Sequence, residues 1–371
     1  MTTAPVAPCI NEALPEEVFG VIFEEHAKLE WKAPIIDGQV CRHWRETVLR
    51  SPRAWSHIKI GQNFASAPSK LQDWLDRSGS APLHIQALDG IEGGGEVLDQ
   101  HRKRIESMSL HDHHLTLLEN RSFPILQSLT LVAWGSDTPL IRWSAHRAMP
   151  ELRYLQTSYI SMDALPLNIF PRLRVLVLYA VKDCNFIIQN SYHSLTSLML
   201  DHVSFQYTSE FLEFPSLRFL SLCNVRNLKH RMNVPALTTY HEEDLIEEES
   251  FPMSFPSLIE YGLYRLSNGS PLNVTKLHQC YPNISRLSLR ACPSDVKLLL
   301  HSLSRQPTTL PMLRILAVEN LMIYSREHKD SMMIDVFMRN MASSVKMELC
   351  LGGKARLPLY FGVVRVYINA G

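Results

Sequence analysis

Nine times between residues 123 and 318 the chain carries an apolar residue, usually a proline after it, and then a run of the form L-x-x-L-x-L or a close variant. Phe214-Pro215-Ser216-Leu217-Arg218-Phe219-Leu220-Ser221-Leu222 is the clearest copy. Others begin at Phe123, Met149, Phe170, Phe255, Tyr281 and Leu310, the copy at Val234 is weaker, and the copy at Tyr192 has His193 in place of proline. The second residues stand at 124, 150, 171, 193, 215, 235, 256, 282 and 311, giving steps of 26, 21, 22, 22, 20, 21, 26 and 29. A tenth copy without proline runs from Ile105 to Leu110. A period of this size implies a stack of short units, each packed only on its neighbours. Strand alternation then assigns the faces. In Leu173-Arg174-Val175-Leu176-Val177-Leu178 the leucines point inward, while Val175, Val177 and Tyr179 point outward onto the sheet. Proline ahead of the strand ends the preceding return segment where no ladder donor is needed.

This pattern resembles the leucine-rich repeat, in which every unit gives one short strand and a return segment. The resemblance implies Asn or Cys three residues beyond the last leucine. Here that position holds Trp134, Ile160, Val181, Val203, Val225, Leu266, Cys292 and Leu321, a mostly apolar ladder, so the turn backbone must be satisfied in another way. In the copy at Leu237, Glu242 replaces an inward leucine and opens a stretch with six acids up to Glu249. That copy is expected to be distorted, or to open into an exposed acidic loop.

Ahead of the repeats, Leu14, Val18 and Ile22 fall on one helical face with Phe19 and Phe23 beside them. Pro15 suits a first turn, and Glu16 and Glu17 complement the positive end of the helix dipole. The spacing predicts a second helix over Gly38 to Arg50 with Val40, Cys41, Trp44 and Val48 on its apolar side, stopped by Ser51-Pro52. Trp55 to Ile60 follows with strand-like alternation. Leu14-Pro15-Glu16 with Ile22-Phe23, Val40 to Arg45, and Ser51-Pro52-Arg53-Ala54-Trp55 together resemble the F-box, a helical module that docks on the Skp-family adaptor of cullin-RING ubiquitin ligases. The continuation Trp74 to Leu83, with the repeats behind it, is similar to F-box and leucine-rich-repeat proteins common in mushroom-forming fungi. The resemblance implies a substrate receptor that itself does no bond chemistry. Its docking residues carry over to Leu14, Pro15, Ile22, Phe23, Val40, Cys41 and Trp44, offered to the adaptor's hydrophobic surface, although Val40 and Trp44 could equally close the module's own core. The stretch from Glu24 to Gln39 is longer than in the shortest family members and could alter docking.

Composition narrows the partners. With 37 Lys+Arg against 37 Asp+Glu the chain lacks the cationic field that nucleic acid or an anionic membrane demands, so neither is expected as a partner. Seven scattered cysteines without a C-x-x-C pair fit reduced thiols, and the N-terminus lacks the basic start and apolar run of a signal peptide, so a cytoplasmic or nuclear location is expected. Gly93-Gly94-Gly95 and Gly352-Gly353-Lys354 lack the residues of a P-loop, and no nucleophile motif is found. His111-Asp112-His113-His114 has no second ligand pair at zinc-like spacing and reads as a solvated loop. His101-Arg102-Lys103-Arg104 is a short basic run, read as a solvated repeat edge. No catalytic residue, metal or cofactor is therefore expected.

The expected architecture is α/β: an F-box-like helical module over residues 10–60, a linker and first capping strand over 61–100, an irregular leucine-rich-repeat solenoid with a parallel β-sheet arc over 101–342, and a C-terminal cap over 343–371. In that cap Val345 to Leu351 and Val363 to Ile368 look strand-like and could close the sheet. The outward face of the sheet is the default binding surface. Its candidate residues for an unknown protein substrate are Tyr154, Val175, Val177, Tyr179, Met199, Phe219, Tyr264, Arg286 and Arg290, since aromatics and arginines supply interface hot spots. The expected function is substrate recognition in a Skp-cullin-F-box ubiquitin ligase; the alternative is a ligase-independent scaffold or sensor with a vestigial F-box.

Overall fold

The computed structural model describes residues 14–61, 68–87, 94–111, 114, 118, 121–133, 149–160, 172–181, 184–203, 212–225, 232–243, 255–264, 274–290, 299, 310–319, 345–350 and 363–368. The chain divides into two compact units, Met1–Leu173 and Arg174–Gly371.

The first unit opens with α1 (Glu16–Leu29), α2 (Ala33–Asp37) and α3 (Arg42–Leu49), closed by a 3-10 turn at Pro52–Trp55. Strand β1 (His57–Ile60), α4 (Pro68–Arg77), β2 (Leu83–Ala87), α5 (Gly94–His101), β3 (Ile105–His111), β4 (Ser128–Val132) and β5 (Tyr154–Ser158) follow. The five strands pair in chain order and all in parallel, so the sheet begins at β1, ahead of the first recognisable repeat. Helix α1 buries Phe19, Phe23 and Ala27, one stripe at i, i+4 and i+8. Phe23 and Phe19 meet Trp44 of α3 at ring-centroid distances of 5.3 and 5.6 Å. Trp55 is tied to α3 by its Nε1 donating to the Val48 carbonyl at 2.8 Å, and Trp74 of α4 packs edge-on to Trp55 at 4.9 Å and against Trp31 at 5.5 Å. The expected helix over Gly38 to Arg50 is corrected: it starts only at Arg42. Cys41 is extended there (φ −158°, ψ 173°) and caps α3, its Sγ accepting from the Trp44 amide at 3.4 Å. Val40 thus lies in a turn, outside any helix.

Arg104, expected at a solvated edge, is drawn inward instead. Its guanidinium donates to Ser78 Oγ at 2.8 Å and to the Ala81 carbonyl at 2.9 Å, bonding the segment behind α4 to the start of β3. Gly79 holds a φ of +53° in that segment, a conformation that glycine adopts without the Cβ penalty. His114 is likewise buried and not solvated; Asp112 and His113 lie outside the described residues.

The second unit contains β6 (Val175–Tyr179), α6 (Asn185–Ser191), β7 (Ser197–Asp201), β8 (Leu212–Glu213), β9 (Phe219–Cys223), β10 (Met232–Asn233), β11 (Thr239–Glu243), β12 (Glu260–Tyr264), α7 (Val274–Cys280), β13 (Arg286–Arg290), β14 (Ile315–Glu319), β15 (Val345–Cys350) and β16 (Val363–Ile368). Strands β6, β7, β9, β11, β12, β13 and β14 form a parallel ladder in that order, and β8 pairs with β10 in a separate two-stranded sheet. The two predicted C-terminal strands are present: β16 pairs antiparallel with β14 and β15 with β16. The molecule is thus α/β, an N-terminal helical region followed by a parallel-sheet solenoid. Leu173, Leu176 and Leu178 are fully buried, as are Leu195, Leu198 and Leu200 one step on and Leu217, Leu220 and Leu222 after that. Each such leucine contributes about 1.5–3 kcal/mol by leaving water.

The turn that ends each strand shows how its backbone is satisfied without the polar ladder. Tyr159, Ala180, His202 and Asn224 occupy the same repeat position and all have positive φ, between 49° and 57°. The amide that follows the strand then continues the parallel ladder: Ala180 donates to the Asp201 carbonyl at 2.8 Å, His202 to Cys223 at 2.9 Å and Asn224 to Glu243 at 3.1 Å. The next residue drops back into the core, so Ile160, Val181, Val203 and Val225 are buried.

The copy at Leu237 is a further correction. Strand β11 keeps full register with β9 and β12, and Glu242 is buried in the leucine row at 2% exposure. Tyr240 donates its hydroxyl to Glu242 Oε2 at 2.8 Å and Tyr261 to Oε1 at 2.6 Å. Burial first, and the Glu242 carboxylate next, push both tyrosine hydroxyls well above their usual range, so they remain protonated donors. The acidic residues 244–249 lie outside the described residues.

Candidate docking surfaces

Helix α1 has two apolar stripes and buries only one. Val18, Ile22 and Leu29 lie on the other, 40%, 43% and 88% exposed, with Val21 exposed beside them. Ile35 and Ile36 of α2, Val40 in the following turn and Leu49 at the end of α3 are also exposed. Val18, Ile22 and Leu29 share one helical face, and an exposed apolar stripe of that kind is a common mark of an interaction site. Of the predicted adaptor contacts, Ile22, Val40 and Pro15 are exposed, and Leu14 is half-buried. Phe23 requires correction: it is fully buried in the Phe19–Trp44 aromatic cluster and serves the core, not the surface. Cys41 spends its sulfur on capping α3, and Trp44 is half-buried with its ring against both phenylalanines. The sequence did not single out Val21, Leu29, Ile35 or Ile36. Their signal was an apolar count on α1 and α2 larger than one buried stripe needs.

The second candidate surface is the outward sheet face. In the first unit Tyr154 is half-buried there and donates to Gln156 Oε1 at 2.7 Å. In the second unit the registers set the outward residues in three rows. Val175, Ser197, Phe219, Thr239, Glu260 and Arg286 form one; Val177, Met199, Ser221, His241, Gly262 and Ser288 form the next; Tyr179, Asp201, Cys223, Glu243, Tyr264 and Arg290 form the third. Met199, 38% exposed, lies beside half-buried Val177 and near Phe219, so the apolar part of the face belongs to β6, β7 and β9. Further along, Phe219 packs edge-on to His241 at 5.3 Å, and Arg286 pairs with Glu260 at 3.3 Å. The middle row narrows to Ser288 and Ala317, both buried. The structure therefore brings Val177, Tyr179, Met199 and Phe219 onto neighbouring strands and sets Arg286 five strands away from Tyr179's. The side chains of Tyr264 and Arg290 lie outside the described residues.

No helix among the described residues is long and apolar enough to cross a membrane. No protein-family model matches the chain. A stretch of 63 residues is 43% identical to the probable alpha-L-glutamate ligase 2 of Shewanella sp. (strain MR-4) and to the probable alpha-L-glutamate ligase of Aliivibrio fischeri (strain MJ11). The likeness covers 16% of this chain and 21% of those relatives, so the chain spans about a fifth of their length. These relatives are enzymes, and that finding overturns the expectation of a chain without bond chemistry.

Proposed function

We propose that the chain is the substrate-recognition subunit of a Skp-cullin-F-box type ubiquitin ligase, of the leucine-rich-repeat kind, acting in the cytoplasm or nucleus. The observation that carries the reading is the unburied stripe of α1, Val18, Ile22 and Leu29, together with Ile35, Ile36 and Val40. An F-box docks through such a surface, and a Skp-family adaptor that covered it would remove apolar area worth about 25 cal/mol per Å² before the costs of association. The apolar rows of β6, β7 and β9 would then receive the protein substrate, with Met199 as the most exposed anchor. Docking through the helical module does not exclude chemistry elsewhere in the chain.

The test is capture of a purified Skp-family adaptor by the full chain. Wild type retains it, and Val18→Asp with Ile22→Asp lowers retention by about tenfold or more, since charge placed in an apolar contact is desolvated without a partner. Both positions are exposed, so the variant keeps its helical circular dichroism. Leu14→Ala with Pro15→Ala weakens capture in the same sense. An adaptor that ignores wild type, or holds the charged variant equally, sinks the ligase reading and leaves the scaffold.

A further inference from the structure

In the third outward row of the sheet, the ends of β7 and β9 and the turn after β7 gather three groups of metal-ligating type. Strand β7 ends on Asp201, and the left-handed residue after it is His202. One repeat later β9 ends on Cys223, the register partner of Asp201. Each of the three side chains offers one ligand atom, and these atoms all lie within 4.8 Å of one another. His202 Nδ1 is 2.6 Å from Asp201 Oδ1, while Asn224 Nδ2 lies 3.4 Å from both His202 Nε2 and Cys223 Sγ. Glu243, the partner of Cys223 on β11, adds negative charge beside the sulfur.

We propose that Asp201, His202 and Cys223 form a binding site for a zinc-type divalent cation, with water at the remaining position. One thiol, one imidazole and one carboxylate suit a borderline cation of the zinc type; magnesium and calcium take oxygen ligands alone. Tetrahedral bonds of about 2.0 to 2.3 Å set ligand atoms about 3.3 to 3.8 Å apart, so these three need only side-chain rotation to converge. Their backbones are already fixed: β7 and β9 are in ladder register, and the His202 amide donates to the Cys223 carbonyl at 2.9 Å. His202 is exposed, which gives the ion a path of entry. On binding, the cation forms its bond to sulfur and the thiol proton passes to solvent. The sequence conceals the site because an Asp-His pair and a cysteine 21 residues later match no linear zinc motif; only stacking of adjacent repeats joins them.

The full chain, stripped with a chelator and titrated with Co²⁺, is expected to develop the near-ultraviolet charge-transfer band of a cobalt–thiolate bond, reversed by Zn²⁺. Cys223→Ser abolishes the band. His202→Asn, chosen because Asn tolerates the left-handed turn, weakens Zn²⁺ binding by about tenfold or more in competition with a chromophoric chelator. The His202 variant keeps the site testable if the Cys223 variant loses its circular dichroism. No band in wild type, a band that survives Cys223→Ser in a folded chain, or unchanged affinity in His202→Asn overturns the proposal.

Discussion

Glu242 shows how a single side chain can occupy the wrong row and still hold the ladder together. Read alone, a glutamate in a leucine position predicts distortion, because a buried carboxylate without partners is costly. Tyr240 and Tyr261 alter that balance by donating to its two oxygens, in a strand pair whose register is intact. The cost of removing it should then be paid by the donors left behind. Glu242→Leu restores the repeat pattern yet takes the acceptor from two buried hydroxyls, at about 1–3 kcal/mol for each. Adding Tyr240→Phe and Tyr261→Phe should recover part of that loss, because these two donors are then removed together with their acceptor. Thermal and denaturant unfolding of the single and triple variants measure this; a triple variant no more stable than Glu242→Leu refutes the account. Glu242 was unreadable in advance because its partners sit two residues and one whole repeat away.

At the scale of elements, the repeat strands were legible and the helical module only half so. L-x-x-L-x-L admits one strand phase, and burial of Leu173, Leu176 and Leu178 with Val175, Val177 and Tyr179 outward follows it. Helix α1 has apolar groups at both Val18/Ile22 and Phe19/Phe23, stripes about 100° apart, and periodicity alone does not choose between them. The aromatic partner Trp44 chooses, because it fills the space against the phenylalanines. Cys41 as a cap was equally hidden, sulfur being an uncommon acceptor there. The pairing of β1 with β2 brings His57 and His84 into a stack 4.4 Å apart. Burial above all, then the neighbouring His84, holds His57 at about 4 against an ordinary 6.5, and burial lowers His84 as well. Below pH 6.5 the unfolded chain therefore binds more protons than the folded one. The stability linked to His57 is complete above that pH and is lost as pH falls towards about 4. Both rings are partly solvated, so the contribution is about 1–2 kcal/mol. A His57→Phe variant should show a shallower fall of melting temperature across this window; parallel curves would rule the pair out as the cause.

For the molecule as a whole, the solenoid's stability is a sum over repeats and their interfaces. The second unit ends that sum by turning β16 antiparallel onto β14 and covering an edge that would otherwise template pairing with other chains. The candidate metal site was illegible at every smaller scale, since it exists only where one repeat stacks on the next. The left-handed turns have a consequence for how such a chain can change over generations. Ala180 and His202 are equivalent points, so removing residues 180–201 joins Tyr179 directly to His202 and leaves every downstream strand in phase. The deletion sets β6 beside β9, a new pairing in which the inward leucines of both strands still fall in one row. Gain or loss of a whole repeat therefore keeps the strand phase and asks only that one new interface pack. The shortened protein is expected to stay monodisperse in gel filtration, with β-sheet circular dichroism and cooperative melting. Collapse into aggregates would mean that the repeats are individually specified and not interchangeable.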